Sequence, residues 1–342
     1  GHRRPGRIDM IKDGILNINK PAGMTSHDVV YRVRKATRVK RVGHTGTLDP
    51  MATGVLPVCI GSAARITEYL DLDFKTYRCE MELGKVTDTL DVWGEILEER
   101  STEGIGEEDV RNAFSSFHGL IEQTPPMYSA VKVNGRKLYE YAREGMEVKV
   151  KSRSVYIKEL NIEAIDLVKK KITFVVECSK GTYIRSICGD VGEKLGCGGI
   201  MTGLVRLASG VFSIEDSIEL DSLSSMEIPE IEAKLLGADF PLVHFGKVIV
   251  DGITGEKFVN GFHLPLSNCR IIREPEFKEK DFVMEIRPEY RRAYNIYMKE
   301  AGHEAGGGRE SGRDAGGEVF LGTAFYSLKY KKLVADKVFY RR

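Results

Sequence analysis

The stretch RVGHTGTLDPMATGVLPVCIG, residues 41–61, sets one carboxylate, Asp49, among glycines, threonines and a proline, directly ahead of an apolar run. That composition makes a tight loop: Gly43, Gly46 and Gly54 tolerate positive φ, and Asp49-Pro50 suits a turn. Two readings follow. The loop is either a plain turn, or a place where the glycines let a ligand come close and a rigidly held Asp49 acts as nucleophile or base. Elsewhere, Asp88 and Asp91 in TDTLD lie three apart, but no histidine cluster accompanies them, so a metal site is not expected. Residues 132–153 carry seven Lys/Arg against three Glu, with Tyr139 and Tyr141 inside the run and Tyr128 just before it. Such a run is either a solvated face or a surface for phosphates and stacked bases.

The elements that must position these groups can be read from periodicity. Ile15, Leu16 and Ile18 make a strand that breaks at Pro21-Ala22-Gly23; Thr25 or Ser26 then caps a helix whose Val29, Val30, Val33 and Ala36 share a face. After the Asp49 loop come a strand from Val55 to Ile60 and a helix from Ser62 to about Leu70. Tyr77, Cys79, Met81 and Leu83 then alternate with polar residues as a half-buried strand does. A turn at TDTLD leads to a strand in VWGEILEE. An amphipathic helix in GEEDVRNAFSSFHG runs on to Pro125-Pro126, and a short strand, an Asn134-Gly135 turn and a short helix follow. SVYIKELNIEAIDL and KITFVVECS read as strands, and KGTYIRSICGDVGEKLGCGG as a helix with a glycine-rich exit. Strands mixed with helices, without strict alternation, predict an α+β fold with a mixed or antiparallel sheet. Past Pro241 short strand-like runs (KVIVDGI, DFVMEIRP, EVFLGTAFYSL, KLVADKVFYRR) predict a small β domain, interrupted by seven glycines in residues 301–317 that suit a flexible loop.

The totals set bounds. The 342 residues allow two domains. With 51 Lys/Arg against 50 Asp/Glu, affinity for a nucleic acid must come from local patches. The six cysteines form no C-x-x-C pair, which disfavours structural zinc and a disulfide framework and favours a reducing cytoplasm. No apolar run approaches the roughly 20 residues that span a bilayer, and residues 1–10 lack the apolar core of a signal peptide. A soluble, cytoplasmic protein is expected.

The Asp49 loop resembles the catalytic motif of bacterial tRNA pseudouridine synthases of the TruB type. The resemblance extends, in the family's order, through LNINKPAGMTSHDVV, KTYRCEMELGKVTDTLD, QTPPMYSAVKVNGRKLYEYAREG, CSKGTYIRSICGDVGEKLGCGG and LVRLASGVFSIEDSI, across roughly residues 14–220. It implies a pseudouridine-synthase catalytic domain (residues 10–240) around a mixed, largely antiparallel sheet, with a T-loop-binding insertion at about 124–153, and a PUA-like RNA-binding domain at 244–342. It implies isomerisation of one T-loop uridine, with Asp49 as the essential residue, no cofactor, no metal, tRNA as the partner, no obligatory protein partner, and a monomer.

By the same resemblance Tyr77 stacks on the uracil and relays the C5 proton, Arg185 pairs with Asp49 through a bidentate contact that keeps it ionised, and Asp91 orients that arginine. Leu204 lies under the base, and His44 fills the space left by the flipped nucleotide. Lys20 and Pro21 pack beneath the loop, and Lys132, Arg136, Lys137 and Arg143 in the insertion meet RNA. Without it, Tyr77 and Leu204 read more readily as core, and Arg185 and His44 equally well as a surface helix residue and a solvated loop residue. Two alternatives stand beside this one: the catalytic subunit of a guide-RNA particle, which the long insertion suits less well, and a tRNA chaperone that modifies nothing. The long, glycine-rich stretch near residues 289–317 departs from the family's more compact C-terminal domain.

Overall fold

The computed structural model describes residues 11, 13–277, 287–299 and 317–340. The glycine-rich segment up to residue 316, most of DFVMEIRP, and residues 1–10 lie outside the described residues.

The fold is α+β. Its main sheet has ten strands, eight on one path: Ile218–Glu219, Gly14–Lys20, Thr53–Ile60, Gly199–Ser209, Lys75–Leu83, Lys171–Cys178, Arg153–Asp166 and Gly119–Gln123. Gly14–Lys20 runs parallel to Ile218–Glu219, and Gly199–Ser209 parallel to Thr53–Ile60; the other pairs on the path are antiparallel. Thr53–Ile60 is apolar on both faces because each is covered. Leu56, Val58 and Ile60 pack with the helix Ser26–Thr37, while Val55 and Cys59 pack on the opposite side toward the C-terminal sheet.

Thr25 is the helix cap that the sequence left open between two residues: its hydroxyl accepts from the Asp28 N–H, and the Asp28 carboxylate accepts from the Thr25 N–H. Val29, Val30 and Val33 are buried as their spacing requires. The expected helix after Ile60 is a 3₁₀ helix, Gly61–Leu72, entered through Gly61 at φ 66°. The Asn134-Gly135 turn joins two short strands, Lys132–Val133 and Arg136–Lys137, with both turn residues at positive φ, the geometry of a type I′ hairpin. The amphipathic helix is shorter than its pattern, Glu107–Phe114, and the strand Gly119–Gln123 precedes Pro125-Pro126.

Two cores lie side by side on one face of the sheet. One joins Cys79, Met81, Phe174 and Val176 to the helices Glu107–Phe114 and Ile184–Lys194; the other joins Leu16, Ile18, Leu56 and Val58 to the helix Ser26–Thr37. Tyr77 and Leu204 pack against both, so they mark the seam.

A six-stranded sheet follows, with Gly246–Val250 parallel to Ala293–Lys299 and antiparallel neighbours outward. It packs on the 3₁₀ helix through Tyr69, Phe245, Tyr290 and Phe320. Among the described residues no helix is long and apolar enough to cross a membrane.

Candidate active site

Asp49 sits in the connection between two hydrogen-bonded strands, Val42–His44 and Thr53–Ile60, with His44 opposite Val58. Three buried polar side chains hold that loop. Lys20, at the end of its strand and fully buried, donates from Nζ to the carbonyls of Pro21, Pro50 and Ala52 at 2.7–2.8 Å. Ser26, in the first turn of its helix, both donates to the Leu48 carbonyl and accepts from the Leu48 N–H. Arg206, from the central strand, donates from Nε to Val55 O (2.7 Å) and from Nη2 to Gly46 O (2.8 Å). The backbone is thus gripped at residues 46, 48, 50, 52 and 55, and Asp49 has little freedom except in its own side chain.

Gly54 explains the loop's exit. Its φ is 108°, and a Cβ there would lie 2.2 Å from Arg206 O, so only glycine lets the two parallel strands meet directly behind the loop. The same closeness appears where Arg185's helix docks: a Cβ on Gly192, inside the helix, would lie 2.1 Å from Gly199 N, and the exit itself turns through Gly196 and Gly198 at φ 76° and 74°.

Arg185 is buried, 8% exposed, in the first turn of Ile184–Lys194. Its Nε lies 3.9 Å from Asp49 Oδ2 and its Nη1 3.9 Å from Asp91 Oδ2. Nη1 and Nη2 also donate to the carbonyls of Thr89 (3.2 Å) and Tyr128 (3.0 Å). The expected bidentate contact with Asp49 is therefore not what the structure shows. The guanidinium spends its fork on backbone carbonyls and faces Asp49 with one nitrogen only, because the turn 87–93 and the chain at Tyr128 both converge on it. Asp49 itself is 58% exposed, so its carboxylate stands open to solvent instead of being sunk beneath side chains.

Asp91 is 14% exposed and accepts from Thr89 Oγ1 (2.6 Å) and the Trp93 N–H (3.1 Å) through Oδ1, leaving Oδ2 for Arg185. Tyr77 is opposite Arg206 in the strand register. Burial pushes its hydroxyl above the ordinary phenol value, the Arg206 cation opposing, so Tyr77 is protonated at neutral pH. His44 stacks edge-on against His27 at 5.7 Å and keeps a buried Nδ1 without a partner. Burial lowers its pKa, with His27 and Arg206 adding to the effect, so a neutral ring results. Burial likewise pushes Lys20 down to about 8, against the charges of Asp49 and Asp28.

In the basic segment, Lys132 and Arg143 are exposed while Arg136 and Lys137 are half-buried. Arg136 lies over Tyr141 at 4.5 Å and pairs with Glu144 at 2.7 Å; Arg143 and Lys137 flank Tyr139. Among the described residues no three His, Cys, Asp or Glu side chains are grouped to hold a metal ion.

The family model described as TruB family pseudouridylate synthase (N terminal domain) matches residues 34–184, and that of the tRNA pseudouridylate synthase B C-terminal domain matches residues 185–236. A protein of Alkaliphilus oremlandii named tRNA pseudouridine synthase B is 48% identical over 279 residues, 79% of this chain and 91% of its own length. The chain belongs to the TruB family. A second TruB relative, from Bacillus pumilus and of the same name, is 42% identical over 84% of this chain and 93% of its own. Among solved structures, an H/ACA RNP bound to a substrate RNA containing 2′-deoxyuridine contains a chain with a TM-score of 0.65 at 21% identity, covering 96% of this chain and 86% of that one, a likeness of fold.

In this TruB-family chain the sequence reading missed Arg206 and Ser26. Arg206 looks like an ordinary arginine in GLVRL, and only its 1% exposure reveals its part in fixing the loop. Ser26 reads from the sequence as a candidate helix cap, yet its hydroxyl serves Leu48.

Proposed function

We propose that this chain isomerises a uridine in the T-loop of tRNA to pseudouridine, with Asp49 as the group that meets the sugar. The observation that carries the reading is the pairing of an open carboxylate with a buried cation, Arg185, on a loop clamped by Lys20, Ser26 and Arg206.

The reaction breaks the N1–C1′ bond, turns the uracil and joins C5 to C1′; the C5 proton leaves and N1 gains one, with no net redox change. Asp49 attacks C1′ or assists bond cleavage, and Arg185, held by Asp91 and two carbonyls, sets a cation 3.9 Å from the carboxylate and orients it. Tyr77 and Leu204, at the seam of the two cores, offer a ring face and an apolar floor for the uracil. Because Tyr77 holds its proton, its part is to stack on the ring and, as its hydroxyl takes the C5 proton, to release its own in the same step to solvent, from which N1 is protonated. A uridine in a folded loop must be swung out to reach Asp49, at a cost of a few kcal/mol, and the neutral His44 ring fills the gap.

Lys132, Arg136, Lys137 and Arg143 of the insertion (about 124–153) serve the phosphates. Residues 10–240 form the catalytic domain, and 244–342 a PUA-like domain that binds RNA. The chain works without an obligatory protein partner, as a monomer in the cytoplasm; its likeness to two bacterial proteins named tRNA pseudouridine synthase B supports the stand-alone reading over the guide-RNA particle. Incubating tRNA transcript with the purified chain in chelator tests this: a carbodiimide-detectable pseudouridine appears in the T-loop. An unmodified transcript contradicts the reading.

A further inference from the structure

Trp93 is the one tryptophan of the chain, and its side chain is left largely in the open: the residue is 47% exposed, beside Val92 at 43%. The turn that carries it is among the most tightly determined parts of the site. Asp91 Oδ1 accepts the Trp93 N–H, and the Thr87 hydroxyl donates to the Asp91 carbonyl. Met201 of the central strand stitches the turn on both sides, donating to Leu90 O at 3.0 Å and accepting from the Val92 N–H at 2.9 Å. Leu90, at φ 63°, lies against Gly189 of Arg185's helix. A side chain at residue 94 would collide with Thr89 Oγ1 and Asp88 Oδ1, so the turn closes without slack.

A rigid backbone presenting an open indole needs a reason, since a half-exposed tryptophan forgoes burial that its size would reward. Its position supplies one. The Asp91 carboxylate that fixes the Trp93 backbone is the one that faces Arg185, which in turn faces Asp49. When a nucleotide leaves its stack, the neighbouring bases lose a partner on one face, and an aromatic plane restores it regardless of base identity. Asp88 and Glu95 beside the turn disfavour a phosphate there, so a base face suits the site better than the RNA backbone does.

We propose that Trp93 is a stacking platform for an unpaired base of the substrate RNA flanking the reacting nucleotide. This rests on the RNA-modifying function argued above and extends it to a residue outside the catalytic set.

The single indole makes the test direct. Asp49→Asn protein, whose turnover is expected to fall at least about 1,000-fold, is titrated with a T-stem-loop transcript while intrinsic fluorescence and filter retention of labelled RNA are read in parallel. The expected result is a saturable fluorescence change with the same midpoint as filter binding. In the otherwise wild-type chain, Trp93→Ala raises KM by about tenfold, the scale of one lost stacked base, with kcat largely retained, and Trp93→Phe recovers most of the loss. Filter binding without a fluorescence change, or an unaltered KM in Trp93→Ala, overturns the proposal while leaving the function intact. Self-association that Trp93→Ala abolishes at unchanged RNA affinity assigns the exposed ridge of Val92, Trp93, Ile96 and Leu97 to a protein contact and also overturns it. A wild type that neither retains nor modifies RNA removes the function and the platform together.

Discussion

Lys20 and Asp49 are joined through backbone: the buried ammonium donates to the carbonyls of Pro50 and Ala52, one and three residues past the carboxylate, and so fixes the loop from which Asp49 projects. Three carbonyls, counting Pro21, require three N–H bonds, which only the protonated amine has.

A pH signature follows. Burial sets the folded pKa at about 8, below the ordinary 10.5. The unfolded chain therefore binds this proton more tightly, and the contribution of Lys20 to stability rises as pH climbs from about 8 toward 10.5. Activity moves the other way, because the neutral amine releases one carbonyl and loosens the loop. Single-turnover rates are expected to fall above about pH 8 without a matching fall in Tm. A rate that stays flat to about pH 9.5 contradicts the assignment.

Arg206 closes the loop from the other side. Arg206→Met leaves the Gly46 and Val55 carbonyls without their donor, at a cost of about 2–4 kcal/mol in denaturant unfolding. A change under about 0.5 kcal/mol shows that the loop does not depend on it.

Arg185→Lys tests the fork. An ammonium cannot serve Thr89 O and Tyr128 O while also facing Asp49 and Asp91. Turnover is expected to drop by at least about 100-fold with the far-UV spectrum unchanged; near-normal turnover means that charge alone suffices.

Lys132 and Arg143 are exposed cations of the basic segment 132–153, as are Lys149, Lys151 and Arg153. The double variant Lys132→Ala, Arg143→Ala is expected to lower the slope of log binding constant against log salt by about 1–2. An unchanged slope removes them from the phosphate contacts.

Much of the frame was legible because local patterns carried it. Alternation at Tyr77–Leu83, the valine face of the helix Ser26–Thr37 and the Asn134-Gly135 turn all signal their own geometry. The strand Gly199–Ser209 gave no such signal. Its Thr202, Gly203 and Arg206 break the apolar pattern, and it is a strand because neighbours on both sides complete its hydrogen bonds. Gly119–Gln123 hid for a related reason: Leu120 and Glu122 face solvent at the edge of the sheet. The carboxylate itself was visible in the glycine-rich loop, whereas the side chains that hold it were not. Burial of a lysine, a serine and an arginine depends on tertiary contacts 22 to 160 residues away in sequence.

The role of Asp49 is tested most directly by Asp49→Asn, which keeps shape and removes charge. With tRNA transcript, the variant is expected to bind within about threefold of wild type and to lose at least about 1,000-fold in pseudouridine formation. Full turnover by Asp49→Asn would contradict the account.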